Sequence, residues 1–168
     1  WNCISGADFD NDGDTDLIVG NRGTNNQIKA SVAKPVTLYA YDFDKNGSLD
    51  PILSYYYNDS ISHPYASRDD LLDQINMLKK KYVYYKDYAN ATMETIFQDV
   101  DLDTIPILKT EIFESVYLEN ISGEKFQIKK LPFQAQWFPI NSSLIHDFNS
   151  DGYLDVIVAG NDHGIRPE

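Results

Sequence analysis

Along most of the chain, apolar residues either alternate with polar ones or gather in short runs that end at Asp, Asn, Gly or Pro. That spacing reads as short β-strands separated by turns. It predicts strands over 2–10 and 16–21, over 27–33, over 35–42 and over 50–57. Further on it predicts a hairpin of 115–119 and 125–129 around the turn 120–124, then a last pair over 141–147 and 154–160. One stretch breaks the rule. Between residues 66 and 98, Leu71, Ile75, Leu78 and Tyr82 recur at helical spacing, and Ser67 with Asp70 stands as a capping box ahead of them. Met93, Ile96 and Phe97 predict a second, shorter helix over 89–98 with those three side chains inward. The expected architecture is mainly β, built of antiparallel hairpins and interrupted by a small helical insertion.

Three of the predicted turns are copies of one motif, which align without gaps. They are Asp8-Phe9-Asp10-Asn11-Asp12-Gly13-Asp14-Thr15-Asp16, Asp42-Phe43-Asp44-Lys45-Asn46-Gly47-Ser48-Leu49-Asp50 and Asp147-Phe148-Asn149-Ser150-Asp151-Gly152-Tyr153-Leu154-Asp155. Oxygen-bearing side chains occupy positions 1, 3, 5 and 9, and glycine occupies position 6. Calcium takes six to eight oxygens from carboxylates, amides, backbone carbonyls and water. Alternate residues of a tight loop converge on one point, and glycine permits the reversal. The expected ligands are therefore Asp8, Asp10, Asp12 and Asp16 with the carbonyl of Asp14; Asp42, Asp44, Asn46 and Asp50 with that of Ser48; and Asp147, Asn149, Asp151 and Asp155 with that of Tyr153. The first loop has four carboxylate ligands and should bind most tightly. Asn46 and Asn149 each replace one carboxylate in the other two, and Lys45 weakens the second further.

An EF-hand would need Glu at position 12 and an exiting helix. Position 12 is Val19, Leu53 or Val158, and each loop leads into a β-rich run. The loops thus read as clips between strands. Magnesium demands a stricter octahedron and is the weaker candidate. Asp99, Asp101 and Asp103 also alternate, but without glycine or a following strand, and read as an exposed connection.

Composition narrows the function classes. The 168 residues carry a net charge of −12, which excludes a phosphate-neutralising surface and hence nucleic acid as a partner. Three divalent cations would halve that charge. No apolar stretch is long enough to span a membrane. The chain opens on Trp1 with no basic-then-apolar leader and reads as a mature or excised piece. The lone Cys3 can form no internal disulfide and reads as a strand residue with an inert thiol.

The strand–acidic loop–strand unit resembles the FG-GAP/VCBS repeats of integrin-α-like β-propellers. The continuations Asp16-Leu17-Ile18-Val19-Gly20-Asn21 and Asp155-Val156-Ile157-Val158-Ala159-Gly160-Asn161 fit the same pattern, as does the hairpin from Tyr117 to Phe126. Tyr65-Ala66-Ser67-Arg68-Asp69-Asp70 in the helical insertion is similar to exported Bacteroidetes proteins related to cartilage acidic protein. The resemblance implies antiparallel blades of a partial propeller ring, three calcium sites and a location outside the cytoplasm, extracellular or on a bacterial outer membrane. On this reading residues 1–57 carry blades with loops 1 and 2, residues 58–110 a mostly helical insertion, and residues 111–168 further blades with loop 3. Loop starts 34 and then 105 residues apart supply too few blades for a ring, so a longer parent chain or another chain is expected to complete it.

Three functions follow in descending order. The first is a calcium-stabilised segment for binding, adhesion or assembly at the cell surface, with a protein or glycan partner. The second is a carbohydrate-binding module, suggested by Tyr55-Tyr56-Tyr57 and by Tyr82, Tyr84, Tyr85 and Tyr88. The third, a hydrolase, is weakest, because His63, His146 and His163 share no catalytic or metal-ligand spacing. Sequons stand at Asn58, Asn90, Asn120 and Asn141, and matter only in a eukaryotic secretory pathway.

Overall fold

The computed structural model describes residues 1–57, 61–121, 123 and 125–161. Asn58 and His163, and Ser122 and Glu124 of the hairpin turn, lie outside the described residues. The chain divides into two compact units, Trp1–Gln27 with Phe113–Glu168, and Ile28–Ile112.

In the first unit, β1 (Cys3–Ala7) and β2 (Asp16–Gly20) flank the first acidic loop as an antiparallel hairpin. β2 pairs with β7 (Val116–Asn120), which pairs with β8 (Phe126–Lys130), giving the all-antiparallel order β1-β2-β7-β8. Two halves of one sheet are thus contributed from either side of the intervening unit. β9 (Ser142–His146) and β10 (Asp155–Ala159) form a second hairpin around the third loop. The Ser5 and Ser143 hydroxyls, 2.7 Å apart, tie β9 to β1.

Between β8 and β9 a 3-10 turn, Phe133–Gln136, is pinned by the buried Gln136. Its side chain accepts from the Ser115 N–H and donates to the Ser115 carbonyl, each at 2.9 Å. The connection onward passes so close to β2 that a Cβ on Gly20 would lie 2.5 Å from the Ile140 carbonyl. Cys3 is partly buried, its Sγ 3.6 Å from that carbonyl.

The second unit holds β3 (Val36–Tyr41) and β4 (Asp50–Tyr56) around the second loop, with edge strands β5 (Ser62–Pro64) and β6 (Ile107–Thr110) in the order β5-β4-β3-β6. Its helices are α1 (Arg68–Gln74), α2 (Tyr85–Tyr88) and α3 (Met93–Ile96). Leu71, Ile75, Leu78, Tyr82, Met93, Ile96 and Phe97 are all buried in one core with Ile52 and Phe43. Sequence spacing therefore identifies the inward side chains.

It overextends the elements. α1 stops at Gln74, where Ile75 leaves helical angles, and a 3-10 turn, Asn76–Lys80, follows. Three residues per turn keep Ile75 and Leu78 on one side, so the core face survives the change of helix type. The helix expected over 89–98 is a single turn, α3, and α2 lies before it. The side chain of Thr92 accepts from the Thr95 N–H, which starts α3 only at Met93. The strand expected over 27–33 does not form. Ser31 and Lys34 instead exchange backbone hydrogen bonds at 3.0 and 3.1 Å, which uses locally the groups a ladder would need. β5 and β6 were not anticipated, being short and, in β6, exposed throughout.

Among the described residues the fold is mainly β with antiparallel sheets, no sheet closes on itself, and no helix is long and apolar enough to cross a membrane.

Candidate metal centres in three acidic loops

Each loop is wound by its own carboxylates. The aspartate at position 1 accepts two backbone N–H groups, from positions 5 and 6. Asp8 takes Asp12 at 3.1 Å and Gly13 at 3.0 Å; Asp42 takes Asn46 at 3.0 Å and Gly47 at 2.8 Å; Asp147 takes Asp151 at 3.2 Å and Gly152 at 3.0 Å. Position 3 (Asp10, Asp44, Asn149) accepts from the N–H of position 5. Position 5 (Asp12, Asn46, Asp151) accepts from the N–H of position 7, which is Asp14, Ser48 or Tyr153. Position 9 closes the loop by accepting from the phenylalanine N–H at position 2: Asp16 from Phe9 at 3.2 Å, Asp50 from Phe43 and Asp155 from Phe148 at 3.0 Å.

The backbone repeats as faithfully. Gly13, Gly47 and Gly152 have φ of 95°, 90° and 88°, and Asn11, Lys45 and Ser150 at position 4 have φ of 62°, 60° and 61°. Glycine at position 6 announces the first reversal. At position 4 only Asn11 is a residue that visits the left-handed region readily, so Lys45 and Ser150 gave no warning of the second.

The phenylalanine at position 2 anchors each loop to its own surroundings. Phe9 meets the Tyr117 ring edge-on at 5.9 Å, and Phe43 stacks on Phe97 at 3.9 Å in the core of the second unit. Phe148 meets His146 at 5.2 Å.

This winding gathers negative charge. Ligand oxygens of Asp8, Asp10 and Asp12 lie within 4.8 Å of one another, as do those of Asp42, Asp44 and Asp50. Asn149 stands at position 3 of the third loop, where it donates to Asp151 Oδ2 at 3.0 Å. Asp14 adds a fifth carboxylate to the first loop, and its Oδ1 is buried without a hydrogen-bond partner. Burial, and then the charges of Asp12, Asp16 and Asp8 among their neighbours, hold the Asp10 and Asp14 carboxyls above the ordinary aspartate range. An orphaned buried oxygen beside crowded carboxylates fits a hard divalent cation, which takes oxygen ligands and supplies the missing positive charge.

Asp16 differs from its neighbours. It is 1% exposed, yet its carboxyl lies below the usual range. Burial raises it, but the Tyr117 hydroxyl, the Asn120 and Phe9 N–H groups and the charge of Lys129 together outweigh that effect. Burial and the bond to Asp16 push the Tyr117 phenol up in turn. Tyr117 and Asn120 carry no local signal of this role, because they stand on a strand more than 100 residues further along the chain.

The remaining candidates lie elsewhere. Asp99, Asp101 and Asp103 are exposed on a turn. His63 Nδ1 sits 3.0 Å from the Ala91 carbonyl, and His146 packs on Phe148. Tyr82 is in the core and Tyr88 donates to the Ala66 carbonyl, whereas Tyr57, Tyr84 and Tyr85 are exposed. The Asn120 side chain is buried and donates to the Thr15 carbonyl, while Asn90 and Asn141 are exposed.

No curated protein and no solved structure matches the chain. Residues 4–29, which take in most of β1, the first acidic loop, β2 and the segment beyond it, match the FG-GAP repeat family.

Proposed function

We propose that the chain is a calcium-binding segment of an FG-GAP β-propeller in an exported or cell-surface protein, with calcium in all three loops as a structural clip. One observation carries this reading: the same lattice of side-chain-to-backbone hydrogen bonds recurs in all three loops, and in the first two it draws carboxylate oxygens together. The ligands are those of positions 1, 3, 5 and 9 with the carbonyl of position 7. The FG-GAP match supports a surface role in binding, adhesion or assembly, with a protein or glycan partner. The remaining blades belong to a longer parent chain, in keeping with the apolar side chains of Leu144 and Ile157 that the β9–β10 hairpin leaves exposed. Kinship with exported Bacteroidetes proteins and outer-membrane association are part of the same proposal, which assigns no catalysis.

Calorimetric titration tests it. Calcium should bind at three sites with dissociation constants of about 10⁻⁴–10⁻³ M or tighter, the first loop tightest, and magnesium more weakly. Absence of a calcium heat at millimolar concentration would overturn the proposal.

A second reading, a carbohydrate-binding module, has one observation in its favour. Phe133 and Trp137, both exposed and edge-on at 5.7 Å, wall a cavity of about 380 Å³ together with Thr24 and Asn25. Aromatic faces beside polar groups suit a sugar ring. A glycan array with no bound sugar would eliminate it.

A further inference from the structure

The geometry points to Tyr117 and Asn120 as positioning residues for the first loop, through which calcium there locks the two halves of the split sheet together; this rests on the calcium reading above. Asp16 Oδ2 accepts the Tyr117 hydroxyl at 2.6 Å as well as the Phe9 N–H, and Oδ1 accepts the Asn120 N–H at 2.8 Å. Asn120 also donates from Nδ2 to the Thr15 carbonyl at 3.3 Å and accepts the Gly123 N–H at 2.7 Å, so one side chain joins the loop to the β7–β8 turn. Asp50 and Asp155 make the same bond to their position-2 N–H. Asp16 therefore shares the bond common to position 9, and β7 adds two further donors that fix it.

Outer partners of a metal ligand hold its orientation and raise affinity, and their loss costs about 10–100-fold. The arrangement also works in reverse. Asp16 begins β2, whereas Tyr117 and Asn120 belong to β7, and the whole second unit lies between them in sequence. A cation that fixes Asp16 fixes the donors bound to it, and with them the β2–β7 seam. The register there is already set with Ile18 opposite Tyr117.

The test follows the glycine amides of the full chain by two-dimensional NMR during a titration with calcium chloride. Gly13 reports the first loop and Gly47 the second. In Tyr117→Phe, which keeps the ring against Phe9, the Gly13 midpoint should move about tenfold or more to higher calcium while that of Gly47 stays. An unmoved Gly13 midpoint, or one moved to lower calcium, overturns the inference and leaves the calcium reading intact. A wild-type Gly13 that ignores calcium removes the calcium reading itself. Should the variant fail to fold, hydrogen exchange of the wild type decides. Calcium slowing the Asn120 amide more than the other β7 amides supports the latch, and equal or no slowing overturns it.

Discussion

Asp8 does two things at once: it accepts the Asp12 and Gly13 N–H groups and offers charge to an ion. Asp10 accepts one N–H, and an amide oxygen would accept it equally well. The two roles can be separated. Asp8→Ala should destabilise the first unit by about 1–3 kcal/mol even in chelator, because two donors lose their acceptor. Asp10→Asn should raise stability in chelator, since it removes a carboxylate from a crowded cluster, and should weaken calcium binding. Urea melts with and without calcium check both. Acid separates the residues further. Asp10 and Asp14 have raised pKa values, so the stability they contribute to the ion-free chain is present at low pH and is lost as pH rises through those values. Asp16 and Glu114 have lowered values, and their contribution is lost as pH falls. Burial raises Glu114, but its bond to Lys130, the charge of Lys130 and backbone hydrogen bonds at Glu114 and Phe113 together outweigh that effect. Protons compete with calcium at Asp10 and Asp14, so the increase in melting temperature that calcium produces should shrink on acidification. That shrinkage should begin at a higher pH than an ordinary aspartate would require.

At the level of elements, Phe97 links the helices to the second loop. It is buried and its ring stacks on Phe43, the position-2 residue that enters the loop. Phe97→Ala should cost about 3–5 kcal/mol in the second unit, by lost contact and the cavity left behind. Calcium at the second loop should weaken while the first keeps its affinity, as read from the glycine amides. The sequence made the loops and the strands on either side of them legible, because a fixed pattern of Asp, Asn and Gly has few other uses. It made the core legible too, since Leu71, Ile75, Leu78 and Tyr82 are all buried, although only Leu71 and Leu78 lie within helical turns. Element boundaries were less legible. Ser31 and Lys34 closed a local turn where a strand was expected, and Thr92 capped a helix four residues after its expected start. The pairing of β2 with β7 and the Tyr117–Asp16 bond were not legible at all. Both join residues about a hundred positions apart, and nothing in a local window records such a choice.

For the whole molecule, charge and chain path pose one problem. A chain of net charge −12 places much of that charge in three tight turns, and one of those turns adjoins a sheet assembled from distant halves. Calcium at millimolar concentration would add about 1–2 kcal/mol per site by linkage. Three sites would then shift the melting temperature by on the order of 10 °C, since about 1 kcal/mol moves a domain of this size by 2–4 °C. The most direct measurement pairs metal analysis of the chain, dialysed against calcium, with thermal melts in calcium and in excess chelator. About three equivalents of calcium and a fall on the order of 10 °C in chelator are predicted. No retained calcium, with a melting temperature that chelator leaves unchanged, would contradict the claim that these loops are calcium clips.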